Sequence, residues 1–389
     1  MAAQAGVARV YINGKFAAQR TTGVQRYAAC MVQALDRLLA HLLQPVHVKL
    51  LLPPGALPPA LQHIRPRELP PPVWAPARLR LHAWEQNTLP AAARGGLLLN
   101  LSGSAPYFAG AQVATLHDAA LWDHPGAYAP AFRFWYRTLF RHLVRSPGRR
   151  LVPSVFSQQR LAAALHVPAT RFDVVPGGSD ALRSVQADPS VLSRNGLQPH
   201  HYLLVVASDN PTKNLAALQR AWASLPVAQR GGCRLAWVGG GAASVFAAAT
   251  AQHGAQTDLL ALGTLDDTEL KALMSQALAL VCPSLYEGFG LPPLEAMACG
   301  CPVAAARAAS LPEVLGDAAL YFDPHSDADI SRALARLVSD APLRAHLRNR
   351  GLARAAACTW DVAAARLWPL LQDEHNAPAK QARVAGGPA

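Results

Sequence analysis

The residues best placed to do chemistry lie in one stretch, Tyr286 to Gly300, YEGFGLPPLEAMACG, with two carboxylates, Glu287 and Glu295, and two closely spaced glycines. The apolar run from Ala277 to Cys282 ahead of it ends at Pro283 and Ser284, and a helical pattern starts near Leu291 with Pro292 and Pro293 in its first turn. Proline is tolerated there because first-turn N–H groups have no partner inside the helix. Leu294, Met297 and Ala298 recur at helical spacing, and Gly300 stands where a left-handed C-cap is expected. The segment therefore reads as strand, glycine loop, short helix. Gly288 and Gly290 let the loop backbone approach a ligand, and the free amides of the following helix favour an anion. Two carboxylates beside an anion are costly unless hydroxyls donate to them. A polyhydroxylated ligand carrying a phosphate meets both demands, although a βα turn with one capping and one solvated glutamate explains the spacing alone equally well.

Other candidates stand at strand ends and helix starts. Gly23 precedes the helical run Val24 to Leu39, and Lys213 opens the helix from Leu215, so each can bring an amide or ammonium to a phosphate. His117 follows the strand Gln112 to Leu116; a core imidazole, or one bonded only to Asp118, is the plainer reading of it. Gly239-Gly240-Gly241 and Gly263 end two further strands. Arg133, Arg137, Arg141 and Arg145 recur every fourth residue, opposite Phe132, Trp135, Leu139 and Leu143, as a basic amphipathic helix. It reads either as a solvated face over a buried one or as a patch for anionic lipid or a phosphate-linked acceptor. Asp327-Ala328-Asp329 lies at a helix start and reads as an N-cap, so no metal is assigned.

The elements that must position these residues alternate strand and helix twice over. A chain of 389 residues, 51% hydrophobic, suits two domains better than one core. No apolar run is long enough to span a membrane, and the start MAAQAGVARVYING lacks an export pattern, so a cytoplasmic protein is expected. The six cysteines are scattered, and Cys299-Gly300-Cys301 has the wrong spacing for a redox or zinc pair; reduced structural thiols are expected. The net charge of +12 attracts phosphates of any kind without choosing among them. Pro53 to Pro72 reads as an extended surface loop, Trp84-Glu85-Gln86 as the start of a polar turn, and the residues from about 374 as a disordered tail.

The central stretch and its continuation, CPVAAARAASLPEVLGDAALYFDP, resemble the C-terminal half of retaining family-4 glycosyltransferases of the GT-B fold, whose E-x7-E signature Glu287 and Glu295 match. TGVQRYA (from Thr22), TLHDAAL and VVPGGSD resemble further segments of that family, in its bacterial mannosyltransferase-like subgroup. The resemblance implies that Glu287 and the amides of Phe289, Gly290 and Leu291 meet donor sugar and diphosphate, and that Glu295 holds the ribose. It further implies that His117 faces the sugar and acceptor, that Gly23 lies beside the diphosphate, that Lys213 neutralises the leaving group, and that Gly239 and Gly263 frame the base. Ser208 stands where the family commonly has an arginine, and Arg26 is a candidate substitute.

The expected fold is thus α/β, GT-B, two doubly wound Rossmann-like domains facing a cleft: an acceptor-side domain over 1–185, a nucleotide-sugar domain over 186–358, a helix over 359–373 crossing back, and a tail over 374–389. The expected activity is retaining transfer of a hexosyl group, mannosyl from GDP-mannose with a UDP- or dTDP-sugar as the alternative donor, to a saccharide or lipid-linked acceptor in surface polysaccharide or lipopolysaccharide synthesis. The partners implied are a nucleotide sugar, that acceptor and an anionic membrane surface at which the protein is peripheral, with no cofactor, metal or nucleic acid. A GT-B epimerase or phosphorylase acting on a sugar phosphate is the competing enzyme reading. A basic polyanion-binding protein is the non-enzymatic one, which the glutamate pair disfavours.

Overall fold

The computed structural model of the chain describes residues 9–43, 46–240 and 259–376. Two parallel sheets carry it. In the first the order is β3-β2-β1-β4-β5-β6-β7, built from β1 (Arg9–Asn13), β2 (His47–Leu52), β3 (Arg65–Glu68), β4 (Leu97–Asn100), β5 (Gln112–Thr115), β6 (Arg150–Val152) and β7 (Phe172–Val174). In the second it is β10-β9-β8-β11-β12-β13, from β8 (Tyr202–Val206), β9 (Arg234–Val238), β10 (Leu259–Gly263), β11 (Ala279–Cys282), β12 (Val303–Ala306) and β13 (Leu320–Phe322). Central strands such as Leu97–Asn100 and Val303–Ala306 are buried at every residue, as sheets covered by helices on both faces require. The strand order reverses between β1 and β4 and again between β8 and β11. Crevices open at the carboxyl ends of such strand pairs, which places the loops after β8 and β11 where a ligand is expected.

The connection between the sheets is bound tightly to the chain's last turn. Ser179 donates its N–H to Cys358 O (2.8 Å) and its hydroxyl to Ala355 O (2.8 Å), and Asp180 Oδ1 accepts from Trp360 N at 2.8 Å. A Cβ on Gly178 would lie 2.2 Å from that same Trp360 N, so only glycine fits. The helix Trp360–Asn376 then lies on the first-domain helix Gly23–Leu39: Trp360 meets Tyr27 edge-on at 5.4 Å, and Asp361 pairs with Arg37 at 2.6 Å.

Three local readings change. The proline-rich stretch contains β3, whose Pro66 pairs opposite Leu50; proline is tolerated because this strand is at the sheet edge. Trp84-Glu85-Gln86 belongs to a π-helical turn, Trp84–Thr88, with Trp84 and Glu85 fully buried rather than exposed. The last helix continues to Asn376, past the tail boundary expected at 374. The remainder of that tail and Gly241 of the glycine turn lie outside the described residues.

Candidate active site

Strand β8 leads into a tight turn, Pro211–Lys213, fixed by Asn210 Oδ1, which accepts from Thr212 N at 2.9 Å. This turn delivers Lys213 to the loop after β11, where its Nζ lies 2.7 Å from Glu287 Oε1. Ser284 Oγ donates to the same oxygen at 2.8 Å. Burial alone would lower the Lys213 pKa, but the Glu287 carboxylate outweighs it and the net shift is upward, so the ammonium stays charged. Gly290 then turns with φ of 98°, a conformation that favours glycine, and the helix Leu291–Ala298 begins with its first amides unpaired by helix bonds. It ends as the pattern implies: Gly300 N bonds Met297 O at 3.0 Å and Cys301 N bonds Ala296 O at 2.9 Å, a Schellman closure with Gly300 left-handed. The side chains of Phe289 and Leu291 are buried against Gly177 of the interdomain turn, leaving their backbone amides as the groups available to a ligand.

The first domain closes directly on this loop. Ser154 and Ser157 donate to Gly288 O at 2.6 and 3.0 Å, and the Ser157 hydroxyl also reaches His117 O at 2.9 Å. Glu313 of the second domain accepts from the amides of Val155 and Phe156 (2.7 and 2.9 Å), filling the N-terminus of the first-domain helix Val155–Leu165. A Cβ on Gly288 would lie 2.5 Å from His117 O. Gly288 is therefore glycine for the approach of the other domain, whereas the sequence reading assigned that freedom to a ligand.

His117 sits edge-on to Tyr27 at 5.0 Å, and its Nε2 is 2.9 Å from Leu101 O. A carbonyl only accepts, so Nε2 carries the proton and Nδ1 is left as an acceptor. Asp118, offered as the histidine's partner, instead accepts from Ala120 N at 2.8 Å. Burial pushes the His117 imidazole down to about 4, so the ring is neutral at physiological pH.

Glu295, only 3% exposed in its side chain, meets Arg26 of the first domain, with Oε1 2.5 Å from Arg26 Nε. Arg26 Nη1 also pairs with Asp267 at 2.7 Å, while Nη2 is sealed from solvent without a hydrogen-bond partner. Burial by itself would lower the Arg26 pKa; Glu295 and Asp267 together raise it. Gly23, three residues earlier, is exposed, and a Cβ there would meet nothing within 4 Å, so no neighbour within the protein demands glycine. Gly239 and Gly263 are joined by Gly239 N to Gly263 O at 2.8 Å, and a Cβ on Gly239 would collide with Ala207 O at 1.8 Å. Arg20 of the first domain reaches this corner and donates to Thr264.

Residues 194–354 match the family described as glycosyl transferases group 1. Over 255 residues the chain is 33% identical to O-antigen chain mannosyltransferase B of Escherichia coli, an alignment covering 64% of this chain and 67% of that one. The chain belongs to the group 1 glycosyltransferases. A second stretch of similarity, 35% over 166 residues, is to the serotype-specific mannosyltransferase WbdA of Escherichia coli; it covers 42% of this glycosyltransferase but 20% of that longer chain. Among solved structures, sucrose-phosphate synthase from Thermosynechococcus elongatus superposes with a TM-score of 0.70 at 19% identity, over 94% of this chain and 98% of that one. The likeness extends through both sheets, and the fold is GT-B, as the sequence implied.

The basic helix of the glycosyltransferase, Pro130–Arg145, is more divided than its periodicity implies. Arg133 Nη1 donates to Pro125 O at 2.9 Å, and Arg137 donates twice to Leu121 O while lying over the Trp122 ring at 5.6 Å. Those two arginines cap the preceding turns; Arg141 and Arg145 are exposed, next to Phe134 (74% exposed) on the same helix. Phe108, 79% exposed, stands edge-on to His142 of that helix at 6.2 Å. In the Asp-Ala-Asp segment the cap is Ser326, whose Oγ accepts from Asp329 N; Asp327 pairs with Arg220 and Asp329 with Arg332. Sequence reasoning missed a buried network behind β1, in which Glu85 accepts from Lys15 (2.6 Å), Ser104 (2.6 Å) and Asn13 (3.1 Å). The one signal for it was Glu85 sitting beside Trp84.

The depressed His117 pKa has a consequence for stability. The folded value, about 4, lies below the ordinary 6.5, so the neutral ring's contribution is fully present above pH 6.5 and is lost as pH falls toward 4. Melting temperature should therefore drop between pH 6.5 and 4 in the wild type and drop less in His117→Gln. Parallel pH profiles for the two proteins would contradict the assignment.

Proposed function

We propose that this glycosyltransferase moves a mannosyl group from GDP-mannose, with retention, to a hydroxyl of a lipid-linked surface polysaccharide. The observation that carries the reading is the convergence of Lys213, Glu287 and the N-terminus of Leu291–Ala298 at the carboxyl end of β11. A cation and unpaired helix amides suit a diphosphate, and an adjacent carboxylate suits sugar hydroxyls. The similarity to two mannosyltransferases, one of them acting on the O-antigen chain by its name, supports the choice of sugar and product class.

In this scheme Glu295 accepts from the ribose hydroxyls and Glu287 from the sugar. Nδ1 of neutral His117 accepts from a further sugar hydroxyl, since Nε2 is committed to Leu101 O. The bond between the anomeric carbon and the phosphate oxygen breaks as the acceptor oxygen attacks on the same face, and the acceptor proton passes to the departing phosphate. Lys213, the amides of Phe289, Gly290 and Leu291, and the amide of Gly23 stabilise the charge that grows there. The scheme uses no protein nucleophile and no metal. Gly239 and Gly263 flank the base, beyond Glu295. Arg141, Arg145, Phe134 and Phe108 combine cationic and aromatic groups on one exposed face, a composition suited to an anionic membrane surface that carries the acceptor.

A calorimetric panel of GDP-mannose, GDP, UDP-glucose, UDP, dTDP-rhamnose and dTDP should show selective binding of the guanosine nucleotides. Glu295→Ala should weaken that binding about tenfold or more, the expected loss for hydrogen bonds to a charged group. Preference for uridine or thymidine would overturn the donor, and binding of none would overturn the transferase site. Joint replacement of Arg141, Arg145, Phe108 and Phe134 by serine should abolish sedimentation with anionic vesicles while leaving GDP binding intact; unchanged sedimentation removes the membrane from the scheme.

A further inference from the structure

Arg26 is the side chain whose present bonds fit least well with the role of its partner. It rises from the first turn of the helix Gly23–Leu39, crosses to the second domain, and occupies Glu295 through Nε and Asp267 through Nη1. Its Nη2, buried without an acceptor, is an unsatisfied donor on a charged group, a costly arrangement that folded proteins seldom keep without a use. A phosphate oxygen is the acceptor that best matches a guanidinium edge. On the functional reading above, Glu295 must give its oxygens to a ribose, and the arginine now held there has to move. The loop after β8, Ser208 to Asn214, carries a single cation, Lys213.

We propose that Arg26 is a second diphosphate-binding cation, supplied by the first domain and parked on Glu295 and Asp267 until the donor arrives. Ribose hydroxyls replace the guanidinium on Glu295, and the released guanidinium turns to the diphosphate beside the N-terminus of its own helix, where Gly23 leaves the backbone open. Asp267, half exposed, is left to water at little cost. The exchange makes closure of the two domains respond to the donor's phosphates: a ligand with ribose but too little phosphate displaces Arg26 without giving it a new partner.

This inference rests on the donor-site reading, and the test separates the two. GMP and GDP are titrated by calorimetry into wild type, Arg26→Ala, Arg26→Lys and Asp267→Asn, with melting temperatures recorded to confirm folding. Arg26→Ala should lose about ten- to a hundredfold in GDP affinity, as for loss of charge-assisted hydrogen bonds, and far less in GMP affinity. Arg26→Lys should recover part of the GDP loss, and Asp267→Asn should keep or gain GDP affinity, because it weakens the parked state alone. Equal losses on GMP and GDP, unchanged or tighter GDP binding in Arg26→Ala, or an Asp267→Asn loss as large as that of Arg26→Ala would each reduce Arg26 to a strut between domains and overturn the proposal. A wild type that binds neither nucleotide overturns the donor-site reading, and this inference with it.

Discussion

Glu287 and Glu295 stand eight residues apart on one loop and helix, in a place where the backbone is built to attract an anion, and each is paired with a cation. The two cations come from different places. Lys213 belongs to the same domain and is set by the turn after β8; Arg26 comes from the opposite domain and is set by the start of its helix. One carboxylate is therefore paired inside its own domain, and the other is paired only through closure of the first domain on the second. Much of the rest of the structure serves that closure.

At the loop itself the domains meet through hydrogen bonds and through Tyr286, whose ring stands edge-on to Phe156 at 5.4 Å and to His124 at 5.0 Å. Two serine hydroxyls share Gly288 O, Glu313 caps the helix Val155–Leu165, and Arg20 reaches Thr264. A further apolar attachment lies behind, where Trp360 packs against Tyr27 and the Gly178 backbone. Tyr27 ties the two together: it touches Trp360 on one side and His117 on the other, and its hydroxyl donates to Val175 O.

The sheets and the organising loop were legible in the sequence because they rest on local rules. Apolar runs ending at glycine or proline gave strands, and Pro292, Pro293 and Gly300 bracketed a helix that the structure places over Leu291–Ala298. What depended on long-range contact was not legible. Glu85 looked like a polar turn residue because its partners, Asn13, Lys15 and Ser104, lie far off in the chain. Gly288 looked like a ligand-facing glycine because the opposing His117 backbone could not be foreseen. The four arginines of one helix looked equivalent because spacing shows the face but not the carbonyls of Pro125 and Leu121 that claim two of them.

A crystal structure with GDP bound tests the central claim most directly, that these two carboxylates and their cations form the donor site. The account predicts the ribose hydroxyls on Glu295, with Arg26 displaced from it, and the diphosphate between Lys213 and the amides of residues 289 to 291. A nucleotide bound elsewhere, with the Glu287–Lys213 and Glu295–Arg26 pairs intact, would contradict it.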